Sequence, residues 1–184
     1  TKCEFYSEHK AGYTEELSSN LRNDPNVIVI SEIRDRENAE LAIRASLTGH
    51  LVISTLHTNS AGGAVTRLID MGVEPYLVAA TLRLAVAQRL ARRLCVHCRR
   101  SVALDSDLAE QLGVPELSGQ AAFAENGCLV CAGKGFVGRV GLFELLGINE
   151  RVRGLIDASA TEDRLQHAMI DQGRASLLQD GVAK

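Results

Sequence analysis

Val27-Ile28-Val29-Ile30-Ser31-Glu32, entered through the turn Asp24-Pro25-Asn26, is a short β-branched apolar run that ends in a carboxylate. A run of this length bounded by turn residues reads as a buried strand. Glu32-Ile33-Arg34-Asp35 follows. The next stretch, 37–47, spaces Ala39, Ala42, Ile43 and Leu47 near a helical period, with Asp35 placed to cap its first turn. Thr48-Gly49-His50 breaks that helix, and Leu51-Val52-Ile53-Ser54-Thr55-Leu56 is a second apolar run, expected to be a second buried strand. The order strand, helix, strand implies a parallel pair joined by a right-handed crossover, and so an α/β fold.

Working outward, Ala61, Ala64, Val65, Leu68 and Ile69 recur at helical spacing, and Gly72 closes that helix. Pro75 suits a first helical turn, and the stretch to about Leu94 reads as one long helix carrying Leu77, Ala80, Leu84, Val86 and Leu90. From Cys95 the chain turns loop-rich, with many glycines, and ends in the strand-like Val140-Gly141-Leu142-Phe143-Glu144-Leu145-Leu146. A helix is expected over 149–158. A capping box, Ser159-Ala160-Thr161-Glu162, then opens another that runs to Gly173. The expected organisation is a core over 1–94, an appendage over 95–147 and a helical tail over 148–184. There is no internal repeat.

The 184 residues are 46% hydrophobic and 23% charged, enough for one domain and a small appendage. No apolar run approaches the roughly 18 to 20 residues of a membrane span, and no basic segment with an apolar stretch opens the chain. The start at Thr1 reads as the edge of an excised piece. A net charge of −3 excludes general polyanion binding. Arg83, Arg89, Arg92, Arg93, Arg99 and Arg100 cluster locally, but without Trp and with few aromatics they read as a solvated face or subunit interface, not a nucleic-acid site.

Cys95-Val96-His97-Cys98 and Cys128-Leu129-Val130-Cys131 are paired knuckles, each able to offer two thiolates to one tetrahedral ion. Four sulfurs close a zinc site with no open position, so its role is structural: it staples an insertion too small to hold itself by burial. The 29 residues between the knuckles must then pack on themselves. His97 is an alternative ligand, though all four sulfurs are available. A redox pair fits less well, because such pairs come singly. Cys3 is left over as an ordinary free thiol. Cysteine in metal knuckles suits a reduced compartment, hence the cytoplasm.

A strand ending in Glu32, with His50 and His57 at the ends of adjacent elements, suggests residues gathered on one crevice of a parallel sheet. The chain resembles the type II secretion and type IV pilus assembly ATPases over residues 21–181. The resemblance is carried by Glu32-Ile33-Arg34-Asp35, Ala45 to Asn59, Arg67 to Pro75, Ala87 to Cys95, the second knuckle, Gly138 to Leu146 and Ala175 to Gly181. It implies the C-terminal portion of a RecA-like P-loop sheet with a tetracysteine zinc subdomain and a helical tail. Glu32 would be the Walker B carboxylate working with Mg2+ and the attacking water, His57 a histidine near the γ-phosphate of ATP, and His50 the earlier histidine of the same box.

Three departures qualify the match. Ser31 stands where the family has Gly, Ser18 where it has an arginine, and residues 1–20 match poorly, leaving its acidic box and arginine fingers unassigned. No Gly-x-x-x-x-Gly-Lys-Ser/Thr occurs, and the family places that phosphate loop upstream of residue 1. The resemblance thus implies part of a hexameric ATPase motor powering secretion or pilus assembly, inactive alone, peripheral to the inner membrane through platform proteins there. The alternatives are a non-catalytic zinc-stapled interaction module and, more remotely, a zinc-ribbon nucleic-acid binder.

Overall fold

The structure is a computed structural model that describes residues 3–6, through their backbone alone, and 25–184. Strands β1 (Cys3–Tyr6), β2 (Val27–Ile30) and β3 (Leu51–Ser54) form a parallel sheet in that order. The β2–β3 register runs from Val27↔Leu51 to Ile30↔Ser54. Between them lies α1 (Arg36–Leu47), N-capped by Asp35, whose side chain accepts from the Asn38 amide as its position before the helix predicts. Cys3 enters only through its backbone, as the first residue of β1; Ser18 lies outside the described residues.

The expectation of two fully buried strands holds for neither: Val27 and Val29 of β2 are half-buried, and β3 is more open still. Ile28 and Ile30 are buried in β2, but Leu51 and Ile53 on β3 are about half exposed, at 55% and 51%. β3 is the last strand of the sheet among the described residues, so one of its faces is less covered. The chain continues through α2 (Ala61–Asp70), with Gly72 at φ 92° just past its end, and α3 (Pro75–Thr81). Gly72 thus takes the left-handed conformation that ends helices and that other residues adopt at a cost.

The long helix expected from Pro75 to Leu94 is corrected by the structure. It stops at Thr81, and Leu84–Leu94 is strand β4. Its first side chains alternate: Ala85 and Ala87 are buried while Leu84 and Val86 are exposed, a period of two that a helix does not produce. Its partner is β7 (Phe136–Gly147). Between them come β5 (Arg100–Ala103) and β6 (Ala121–Ala124), an antiparallel pair joined through the short helix α4 (Ser106–Gln111) and a 3-10 turn (Pro115–Leu117). The insert between the knuckles therefore does fold on itself.

The chain closes with α5 (Glu150–Asp157), α6 (Glu162–Asp171) and α7 (Leu177–Ala183). The expected capping box at Ser159 is absent. Ser159 takes φ 51°, Thr161 is the N-cap without a side-chain hydrogen bond, and the Glu162 carboxylate turns instead to Ser60. The chain divides into two compact units. One joins the described residues up to Ala87 with Glu144–Ser176; the other joins Gln88–Phe143 with Leu177–Lys184. In the second, α7 is latched to β7: Asp180 accepts from the Phe143 amide at 2.9 Å, and Lys184 donates to the Gly141 carbonyl at 2.8 Å. Among the described residues no helix is long and apolar enough to cross a membrane.

In the first unit, α3 packs on α5 and α2 on α6. Leu165 of α6 is fully buried, and its Cβ comes within 3.5 Å of where a side chain on Gly62 would stand. Leu165→Ala should lower stability by about 2–5 kcal/mol, the range for deleting a buried leucine. Urea unfolding followed by circular dichroism measures it, and a loss below about 1 kcal/mol would contradict the packing.

Candidate functional site

Beyond the last paired residues of β2 and β3, two further bonds carry the strands' alignment forward. The Ile33 amide donates to the Thr55 carbonyl at 3.0 Å, and the Thr55 hydroxyl to the Ser31 carbonyl at 2.6 Å. Because the strands are parallel, both leave the sheet at the same end, and Glu32 is brought to His57. Glu32 Oε1 lies 2.8 Å from His57 Nε2, and Oε2 lies 2.7 Å from the Arg34 guanidinium, whose Nε also donates to it. The Glu32 side chain is 12% exposed and that of His57 89%. Hydrogen bonding from Arg34 holds the Glu32 carboxyl below the usual range, with the charges of Arg34 and His57 acting in the same sense against partial desolvation. The carboxylate is thus kept ionised, with a cationic or polarisable partner on each oxygen.

His50 is not part of this pair. It precedes β3, at the opposite end of the strand from His57, beside Asn26, whose carbonyl accepts from the Leu51 amide. The crevice shared by both histidines in the sequence reading does not form, because a parallel strand separates its own two ends. His50 Nδ1 instead stands 3.0 Å from the Ala45 carbonyl in the last turn of α1, which also accepts from the Thr48 hydroxyl and the His50 amide, and 3.0 Å from the Thr48 hydroxyl. Its Nε2 is buried without a partner among the described residues.

In the second unit the four knuckle sulfurs converge, all within 4.8 Å of one another. The separations are 3.9 Å for Cys95–Cys128, 3.8 Å for Cys98–Cys131 and 3.7 Å for Cys128–Cys131. An ion with four bonds of about 2.3 Å at tetrahedral angles sets sulfurs about 3.8 Å apart, whereas a disulfide needs about 2.05 Å. The cluster therefore fits a metal such as zinc. Amides support it: Gly127 donates to Cys98 at 3.3 Å, and Cys128 and Gly135 each donate to Cys131 at 3.2 Å. Desolvation pushes the Cys98 thiol up to about 11, while for Cys131 desolvation is outweighed by those amide bonds, which bring it down to about 6. Gly127 and Gly135 are required here. A side chain would come within 2.8 Å of the Gly133 carbonyl in one case and 2.6 Å of Glu125 in the other. His97 is exposed and is not one of the four converging ligands.

Of the basic residues, Arg92 lies 4.0 Å over the Phe136 ring, Arg99 4.2 Å over Phe123, and Arg93 donates to the Val137 carbonyl. These arginines brace the second unit itself.

Residues 5–184 match the family described as Type II/IV secretion system protein. The chain belongs to that family. Type II secretion system protein E of Klebsiella pneumoniae is 49% identical over 146 residues, covering 79% of this chain and 29% of that protein. The type IV pilus assembly ATPase PilB of Myxococcus xanthus is 43% identical over 171 residues, covering 91% of this chain and 30% of its own. The chain spans under a third of the length of these two relatives. Among solved structures, the ATPase DotB of Legionella pneumophila superposes with a TM-score of 0.62 at 22% identity, over 96% of this chain and 39% of that one, a likeness of fold. The pilus retraction motor PilT with bound ADP gives 0.55 at 25% identity, over 97% and 45%.

In this secretion-family chain the sequence reading missed a second group of acids. Glu144, 2% exposed, accepts from the Ala61 amide at 2.8 Å, and the Ser60 hydroxyl donates to Glu162. One signal was available: Glu144 is a lone charge within the apolar Leu142-Phe143-Glu144-Leu145-Leu146. An acid there either breaks the strand's pattern or has a buried partner.

The depressed Glu32 carboxyl gives a signed prediction. Stabilisation from its bonds is present above the unfolded carboxyl value and is lost as pH falls through the lower folded value. Arg34→Gln should move the Glu32 titration up toward the ordinary glutamate range. Carboxyl-carbon NMR shifts report it, and an unmoved midpoint would show that Arg34 does not set the value.

Proposed function

We propose that this chain is the C-terminal part of a longer, hexameric ATPase motor that powers protein secretion or pilus assembly at the bacterial inner membrane. The observation that carries the reading is the Glu32–His57 pair at 2.8 Å, held at the shared end of two parallel strands. Glu32 is the base or orienting acceptor for the attacking water, and His57 meets the terminal phosphate. Arg34 keeps Glu32 ionised and ready to accept. Magnesium and ATP would supply the charged phosphoryl group and its counter-ion. The residues fit them in part: Glu32 offers the hard oxygen magnesium prefers, while a phosphate-cradling loop does not occur in these 184 residues. Family membership supports the activity, and the oligomer and platform partners are inferred from it.

Cys95, Cys98, Cys128 and Cys131 would hold zinc as a closed structural site, and the core, zinc subdomain and helical tail are proposed as successive parts of the motor. The closed four-cysteine cluster favours one other reading, a zinc-stapled docking module without catalysis. Nucleotide hydrolysis by the full-length protein discriminates between them.

In that full-length protein, Glu32→Gln should reduce turnover by at least about 100-fold while nucleotide still binds. A steady-state assay paired with a binding titration reads both, and near-normal hydrolysis would falsify the catalytic assignment. For the metal, elemental analysis should find about one zinc per chain, and Cys98→Ser or chelation should lower the melting temperature. A metal-free chain with unchanged melting would remove the structural ion.

A further inference from the structure

We propose that Glu144 is a positioning residue for His57: its buried carboxylate holds the first amide of α2, and through it the bridge 55–60 on which His57 rides. The inference rests on the reading of Glu32 and His57 given above.

The bridge leaves β3 after Ser54 and enters α2 at Ala61. The imidazole in its middle is 89% exposed and leans on Glu32, so its place is set by the backbone on either side. Upstream, the bonds from the Ile33 amide and the Thr55 hydroxyl tie the bridge to the Glu32 loop. Downstream, the anchor is the start of α2. The Ser60 side chain accepts from the Gly63 amide at 2.9 Å and donates to Glu162, and Thr58 donates to the Ser60 carbonyl at 3.2 Å. The amide of the buried Ala61 is taken by Glu144 at 2.8 Å.

Ser60 alone caps the helix adequately by the ordinary local rule. Bringing in a buried acid from 83 residues away is an energetically costly way to satisfy an amide, since a carboxylate gives up its hydration before its bonds are counted. What the arrangement adds is location. It ties the first residue of α2 to β7 and thereby sets where the bridge ends. Gly62 serves the same anchor: any side chain there would press on the Glu162 backbone and Cγ at 3.3 Å, pushing α6 and its carboxylate from Ser60. With both ends of the bridge held, the imidazole meets Glu32 without a search. Releasing one end lets it drift by a fraction of an ångström or more, and misplacement of about 1 Å is enough to cost about 100-fold in rate.

The test is a double-mutant cycle in the full-length ATPase. Glu144→Ala should lower kcat by about 10- to 100-fold with the nucleotide KM little changed, and Glu144→Gln, which keeps an acceptor for the Ala61 amide, should restore it to within about threefold. Added to His57→Ala, Glu144→Ala should lower kcat no further, because its effect runs through His57. Equal losses with and without His57 overturn the positioning role, leaving Glu144 a stability residue. Should Glu144→Ala fail to fold, Glu144→Asp takes its place in the cycle, withdrawing the acceptor by one methylene while keeping the charge; equal losses there overturn the proposal as well. Full turnover by His57→Ala alone is a different failure, of the His57 reading itself, and removes the proposal with it.

Discussion

The parallel register of Val27–Ile30 against Leu51–Ser54 is the constraint from which the rest follows. It makes both strands end on the same side, and the two bonds that continue past them keep the emerging loops in step. Glu32 and His57 meet because each follows its strand by a short, defined path. A slip of one residue would turn Ile28 and Ile30 out of the core, so burial of those two side chains enforces the alignment on which the carboxylate–imidazole distance depends. The same geometry explains why His50 is elsewhere: it stands at the strand's entrance, where the chain has just left α1, and spends its ring on that helix's terminal carbonyl.

Legibility in the sequence tracked the range of the interactions that decide each element. The two strands, the Asp35 cap, the glycine after α2 and the spacing of the knuckles are local signals, and each could be read from neighbouring residues. Leu84–Leu94 could not. Its leucines, alanines and arginines are good helix formers, and what makes it a strand is β7, some fifty residues on by sequence count, which the local pattern does not contain. Ser159 failed similarly. Its spacing to Glu162 is that of a capping box, but Glu162 has a partner at Ser60, far away in sequence, and the local motif gave way to it. Of the candidate site, the order of elements brought Glu32 and His57 to one crevice but wrongly set His50 there too, whereas the acids behind the bridge depend on contacts across most of the chain.

The four-cysteine cluster shows a different kind of legibility. Four cysteines in two knuckles are readable because tetrahedral coordination by thiolates leaves few other uses for that spacing. The structure adds how the cluster is prepared. Amides from Gly127, Cys128 and Gly135 point at the sulfurs, and the glycines permit the close approach of the backbone. Around it the insert has small strands and short helices, with Leu129 fully exposed at a knuckle tip and few large side chains buried. Such a segment has too little apolar burial to order itself against chain entropy, so convergence of four ligands is the natural source of its order.

Two carboxylates of the first unit illustrate how environment separates roles that composition cannot. Glu32 stands at a strand end with Arg34 and His57 on its two oxygens, side chains that can move aside; its charge is maintained but its bonds are exchangeable. Glu144 is enclosed and bonded to a backbone amide, which cannot move without moving a helix. The first arrangement suits a group that must accept something new during a reaction. The second suits a group whose work is done once the chain has folded. The bridge bearing His57 runs between these two kinds of acid, held at one end by the strand ladder beside Glu32 and at the other by the buried Glu144. On the proposed reading, the exposed imidazole of His57 gains its precision from residues set back from it.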